Sequence, residues 1–101
     1  MTHDIDTPVN QEVLGAVRRV LSDRLGRYGF KEAKVSAGHD HDGDPVLFID
    51  AYYDPVEDPI DPRVTFGLLH VLREALEAVG EKRFPHVRHI LPEGMRVAGS
   101  T

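Results

Sequence analysis

The sequence predicts a two-layer α+β sandwich, ordered α-β-β-α-β with room for one more strand, in which both helices cover one face of an antiparallel-rich sheet. Three observations carry this. Two stretches repeat apolar residues at helical spacing. Between them lies a segment dense in branched and aromatic residues. Glycine and proline punctuate the joints.

The first stretch contains Val13, Leu14, Val17, Val20, Leu21, Leu25 and Tyr28, at steps of three and four, and predicts a helix near residues 8–28. Thr7 before Pro8 is a start signal, a hydroxyl cap followed by proline at the first helical position. Gly29 is placed for a left-handed stop. Lys31 to Ala37 alternates, with Ala33, Val35 and Ala37 on one side and Glu32, Lys34 and Ser36 on the other, as a short half-buried strand does. After the Gly38–Asp44 loop, Pro45 to Tyr53 reads as the strongest strand, and the two strands form a hairpin.

Asp54 to Pro62 holds three Asp-Pro pairs and reads as an extended connector, because proline keeps its predecessor out of the helical region. Asp61 and Pro62 then open a second helix near residues 62–79, carrying Val64, Leu68, Leu69, Leu72, Ala75, Leu76 and Val79, with Gly80 at its end. Pro85 separates it from a third strand, His86 to Leu91. Pro92-Glu93-Gly94 turns the chain, with space for a fourth strand over Met95–Ala98. The expected core is Leu14, Val17, Leu21, Leu25, Leu47, Ile49, Leu69, Leu72 and Leu76. With 101 residues the chain suits one domain, residues 1–6 and 99–101 being expected as disordered tails.

Composition narrows the chemistry. The absence of cysteine excludes disulfide frameworks, thiolate zinc sites, iron–sulfur clusters and cysteine nucleophiles. No apolar run nears the roughly 20 residues of a membrane helix, so no membrane association is expected. The N-terminus is acidic and lacks a basic start followed by an apolar stretch, which points to a cytoplasmic protein. The formal charge of −5 is unevenly spread: Val35 to Pro62 holds eight acidic residues and no Lys or Arg. That balance disfavours nucleic acid without excluding it, since a local basic face can sit on an acidic body. A protein partner or a homodimer fits better.

The stretch HDHDGD, residues 39–44, is the one motif suggestive of a metal. As a calcium loop started at Asp40 it fails, with Pro45 where glycine is needed and Ala51 where the bidentate glutamate belongs. A transition-metal site from His39, His41, Asp42 and Asp44 is the alternative, with His86 or His89 as a further ligand. Turn chemistry accounts for the same residues without any metal, because Asp-Gly makes the turn and acids keep its tip solvated. No metal or other cofactor is therefore expected. His86 and His89 should alternate faces on their strand, and His70 should sit at the edge of its helix's apolar stripe.

No catalytic residues are assigned: no serine lies in a Gly-x-Ser-x-Gly elbow, and no glycine-rich phosphate loop occurs. Residue parity sends Leu47, Ile49 and Ala51 toward the helices and Phe48, Asp50 and Tyr52 to the opposite face. An acid between two aromatics on an open sheet face reads as a recognition surface, with Lys34 and Arg88 beside it. The expected function is a small non-catalytic binding module using that face. The order of elements resembles that of small RNA-associated α+β domains, including the N-terminal domain of ribosome maturation factors. The resemblance is one of order, without a shared motif, and it implies an RNA- or ribosome-associated domain as one alternative. A metal-binding protein or metal-dependent enzyme using the His/Asp loop is a second. An adaptor whose acidic Asp40–Asp61 stretch meets a basic partner is a third.

Overall fold

The computed structural model describes residues 9–55 and 62–92. Its first helix, α1, spans Gln11–Leu25. Asn10 caps it: the side-chain oxygen accepts from the amide of Val13 at 2.8 Å, and the backbone carbonyl accepts from Leu14 at 3.0 Å. Thr7 and Pro8 lie outside the described residues, but the helix opens at Gln11 and not at Pro8 as expected, because Asn10 is extended and supplies the cap. A 3-10 turn, Gly26–Tyr28, tightens the helix end before Gly29 stops it at φ 94°, in the left-handed region as expected.

Strand β1 runs Phe30–His39 and β2 runs Pro45–Tyr53, paired antiparallel with Val35 opposite Ile49. The second helix, α2, spans Pro62–Ala78, with proline at its first position. Its C-terminus is closed in Schellman fashion. The amide of Glu81 donates to the carbonyl of Leu76 at 2.9 Å, and that of Gly80 to Glu77 at 3.0 Å, with Gly80 at φ 81°. Strand β3 then runs Phe84–Ile90.

The sheet order is β1-β2-β3, and β3 lies parallel to β2 with Val87 beside Ile49. The sheet is therefore mixed. The antiparallel expectation holds for the hairpin and not for the second pair, because α2 carries the chain back to the end from which β2 started. Pro85 also lies inside β3, opposite Leu47, and does not precede the strand as expected. Among the described strands β3 is at the sheet margin, where a proline can turn its missing N–H away from the ladder. The fourth strand expected over Met95–Ala98, and the tails, lie outside the described residues.

One hydrophobic cluster joins Val13, Val17, Val20, Leu21 and Leu25 of α1 with Leu68, Leu72 and Leu76 of α2 and with Leu47, Ile49, Ala51 and Tyr53 of β2. Two expected core positions slip by one residue. Leu14 is half-buried while Val13 is buried, and Leu69 is 37% exposed while Leu68 is buried. Each is one of two adjacent apolar residues. A single residue turns an α-helix by about 100°, which decides which of the two faces the sheet.

The α2–β3 connection is fixed by a pair the sequence did not suggest. Arg83 donates from Nε and Nη2 to the two carboxylate oxygens of Glu81, each at 2.8 Å, and its backbone amide adds a third bond at 2.9 Å. Both side chains are largely buried. Hydrogen bonding from Arg83 holds the Glu81 carboxyl below its ordinary range against the opposing effect of burial. The pair orders the approach to β3 and so the strand's register beside β2. Among the described residues, no helix is long and apolar enough to cross a membrane.

Candidate functional site on the open sheet face

The register places the five residues expected on the open face in adjoining rows. Lys34, Asp50 and Arg88 align across the three strands, and Glu32, Tyr52 and Ile90 form the next row on one side. On the other side Ser36, Phe48 and His86 align. Arg88 grips Asp50 with two hydrogen bonds, Nε to Oδ1 and Nη2 to Oδ2, both 3.1 Å. This fork-on-fork geometry raises the guanidinium's affinity for its proton, chiefly through the hydrogen bonds to Asp50. The Lys34 ammonium lies 5.6 Å from the centre of the Tyr52 ring.

Phe48 is 40% exposed, yet its ring is held on two sides. On the β1 side it lies across Gly38 so closely that a Cβ there would stand 2.5 Å from its Cε2. On the β3 side its centroid is 5.9 Å from the His86 imidazole, with the planes tilted by 32°. Phe84 meets His86 edge-on at 5.3 Å, and the guanidinium of Arg73 from α2 lies 5.2 Å over Phe84. Ser36, Phe48, Asp50, His86, Val87 and Arg88 bound a shallow depression of about 430 Å³. Sequence reasoning missed Gly38, His86 and Phe84. A glycine within a strand is a signal of close backbone approach and could have found the first. The other two needed the parallel register. No protein-family model, curated protein or solved structure matches this chain. Its chemistry has to be read from its own residues.

The His/Asp loop is built as a turn. Oδ1 of Asp40 accepts from the amides of Asp42 and Asp44, each at 2.9 Å, and the Asp40 amide donates to the Asp44 carbonyl at 3.0 Å. Gly43 supplies the positive φ, 87°. The bond from Asp44 is the main reason that the Asp40 carboxyl is held below its ordinary range, with smaller help from Asp42, His41 and His86. His39 ends β1 opposite Pro45, whereas His41 stands in the turn with its side chain 93% exposed, 3.7 Å from Asp42. The strand alternation that would align the two imidazoles stops at His39. Among the described residues, no group of three or more His, Asp or Glu side chains is placed to hold a metal ion. Calorimetric titration with zinc or nickel is expected to show only the weak binding of exposed histidines. A stoichiometric site abolished by His41→Ala would contradict this.

His70 is exposed on α2 and pairs with Glu74 at 3.4 Å, one turn on. His86 and His89 alternate faces as expected, the first on the open side and the second half-buried on the helix side.

Proposed function

We propose that this chain is a small, cytoplasmic, non-catalytic binding module that engages a protein partner through the open sheet face, with Phe48, Asp50, Tyr52, Lys34 and Arg88 at its centre. The observation that carries the reading is the exposed Phe48 ring, braced by Gly38 and His86 in one position. A large apolar side chain held rigid in solvent loses little freedom on contact. Covering its remaining 40% exposure supplies part of the about 1.5–3 kcal/mol that full burial of such a side chain gives, and aromatic and arginine side chains commonly anchor interfaces.

Charge favours protein over RNA. Arg88 is already neutralised by Asp50, and the chain carries −5 overall. A phosphate backbone would meet little free positive charge here.

The test places a photo-crosslinking amino acid at Ser36 and compares the chain with its Phe48→Ser/Tyr52→Ser variant. The parent is expected to form one discrete protein adduct, lost in the variant, while circular dichroism shows the variant folded. An unfolded variant would mean that these side chains are internal. Fluorescence anisotropy showing tight binding of a single-stranded oligonucleotide, lost on the same substitutions, would replace the protein reading with the RNA one.

A further inference from the structure

The helix-facing side of the sheet holds a tyrosine–histidine pair that the proposed docking surface does not use. Tyr53, at the end of β2, is 5% exposed and packs edge-on against Phe30 with centroids 6.2 Å apart. Its hydroxyl lies 2.6 Å from Nδ1 of His89, a half-buried residue that is itself paired in register with Ala51. With Tyr53 donating to an unprotonated Nδ1, the buried hydroxyl's hydrogen is paired within this bond, and the latch proposed below rests on that assignment, with His89 neutral and its proton on Nε2.

We propose that Tyr53 and His89 form an acid-sensitive latch that fastens the C-terminal end of β3 to β2. When His89 takes up a proton, Nδ1 becomes a donor and can no longer accept the hydroxyl hydrogen. The hydroxyl must turn to accept from Nδ1, which leaves its own hydrogen unpaired where little water reaches. The new charge also sits against apolar neighbours. The depression beside His89 is lined by Thr65, Leu68 and Leu69 of α2 and by Phe84, Pro85, His86 and Val87 of β3. Among the described residues that line it, His86 is the one other titratable group, and it offers no compensating negative charge. Tyr53 faces His89 from β2. Arg88 lies on the opposite face of β3, bonded to Asp50.

Burial lowers the proton affinity of His89 from its ordinary value and pushes ionisation of Tyr53 above the usual tyrosine range. The folded chain thus holds this proton less readily than the unfolded chain does. The latch contributes fully above about pH 6.5, the unfolded histidine value, and is lost as pH falls from there through the folded value.

The experiment uses the whole chain and reads histidine-ring nitrogen resonances and amide hydrogen exchange by NMR between about pH 7.5 and about pH 5, with exchange corrected for intrinsic chemistry. At the upper pH His89 is expected as the Nε2–H tautomer, titrating below the ordinary histidine value of about 6.5. On acidification, exchange at Tyr52, Tyr53, His89 and Ile90 should rise severalfold. Val35 and Ile49 in mid-sheet should stay protected. His89→Leu should abolish the rise, and His86→Leu should leave it. Tyr53→Phe, which keeps the ring and removes the bond, should move the titration of His89 upward, toward the ordinary histidine value. The latch is refuted by an Nδ1–H tautomer at neutral pH, by a rise that survives His89→Leu or extends equally to mid-sheet, or by an unmoved His89 titration in Tyr53→Phe.

Discussion

Leu72→Ala is expected to destabilise the protein by about 2–5 kcal/mol, the usual cost of truncating a buried leucine. Leu72 is fully buried, between Leu68 and Leu76 on the stripe of α2 that faces the sheet. Truncation removes the transfer energy of the lost carbons and leaves a cavity bounded by both helices and β2. Such a loss is a large share of a domain's total stability, which is commonly about 5–15 kcal/mol. Leu69→Ala is the internal control. That residue keeps 37% of its surface in solvent and should cost less than about 1 kcal/mol, which Leu72 should exceed severalfold. Urea denaturation of both variants reads the difference as a shift in midpoint at constant slope. Equal losses at the two positions, or a loss at Leu72 under about half a kilocalorie, would show that the helical face is assigned one residue out of phase.

That control also marks where sequence reasoning is sharp and where it is blunt. β2 was legible to both ends, Pro45–Tyr53, because a segment dense in branched and aromatic residues lies between a proline and an Asp-Pro pair. The left-handed stops at Gly29 and Gly80 were legible because few other residues adopt positive φ without strain. Helical phase was not, since Leu68 and Leu69 are chemically identical and only the packed sheet distinguishes them. The direction of β3 was hidden too: alternation identifies a strand, but its polarity comes from the connection that α2 makes. With the direction went the neighbours. His86 beside Phe48 and His89 beside Tyr53 are contacts between residues far apart in sequence, and no local pattern encodes them. The centre of the open face was legible because parity alone separates Phe48, Asp50 and Tyr52 from Leu47, Ile49 and Ala51. What braces that centre was not.

The brace can be tested at Gly38, where valine is expected to displace the Phe48 ring and remove the docking surface without touching the helix-facing core. Gly38 does not have positive φ, so its need for glycine lies in space and not in backbone conformation. A Cβ there would stand 2.5 Å from Cε2 and 3.0 Å from Cδ2 of Phe48, closer than packed carbon atoms come. The ring cannot slide across the sheet, because His86 stands on its other side at a centroid distance of 5.9 Å. It has to leave its rotamer and swing into solvent. Overpacking costs about 1–3 kcal/mol where nothing can yield. Here the ring is already part exposed, and valine recovers about 0.5–1 kcal/mol that glycine forfeits in a strand, so the net loss should fall near 1 kcal/mol. Loss of the crosslinked adduct should nevertheless match that of Phe48→Ser/Tyr52→Ser. The sign of the stability effect then depends on the ring. In a Phe48→Ala background nothing opposes the valine, and Gly38→Val should stabilise the chain by about 0.5–1 kcal/mol through strand propensity alone. A double-mutant cycle measured by denaturation gives both values. If Gly38→Val destabilises equally in the two backgrounds, the ring does not rest on Gly38, and the fixed position of Phe48 loses its physical basis.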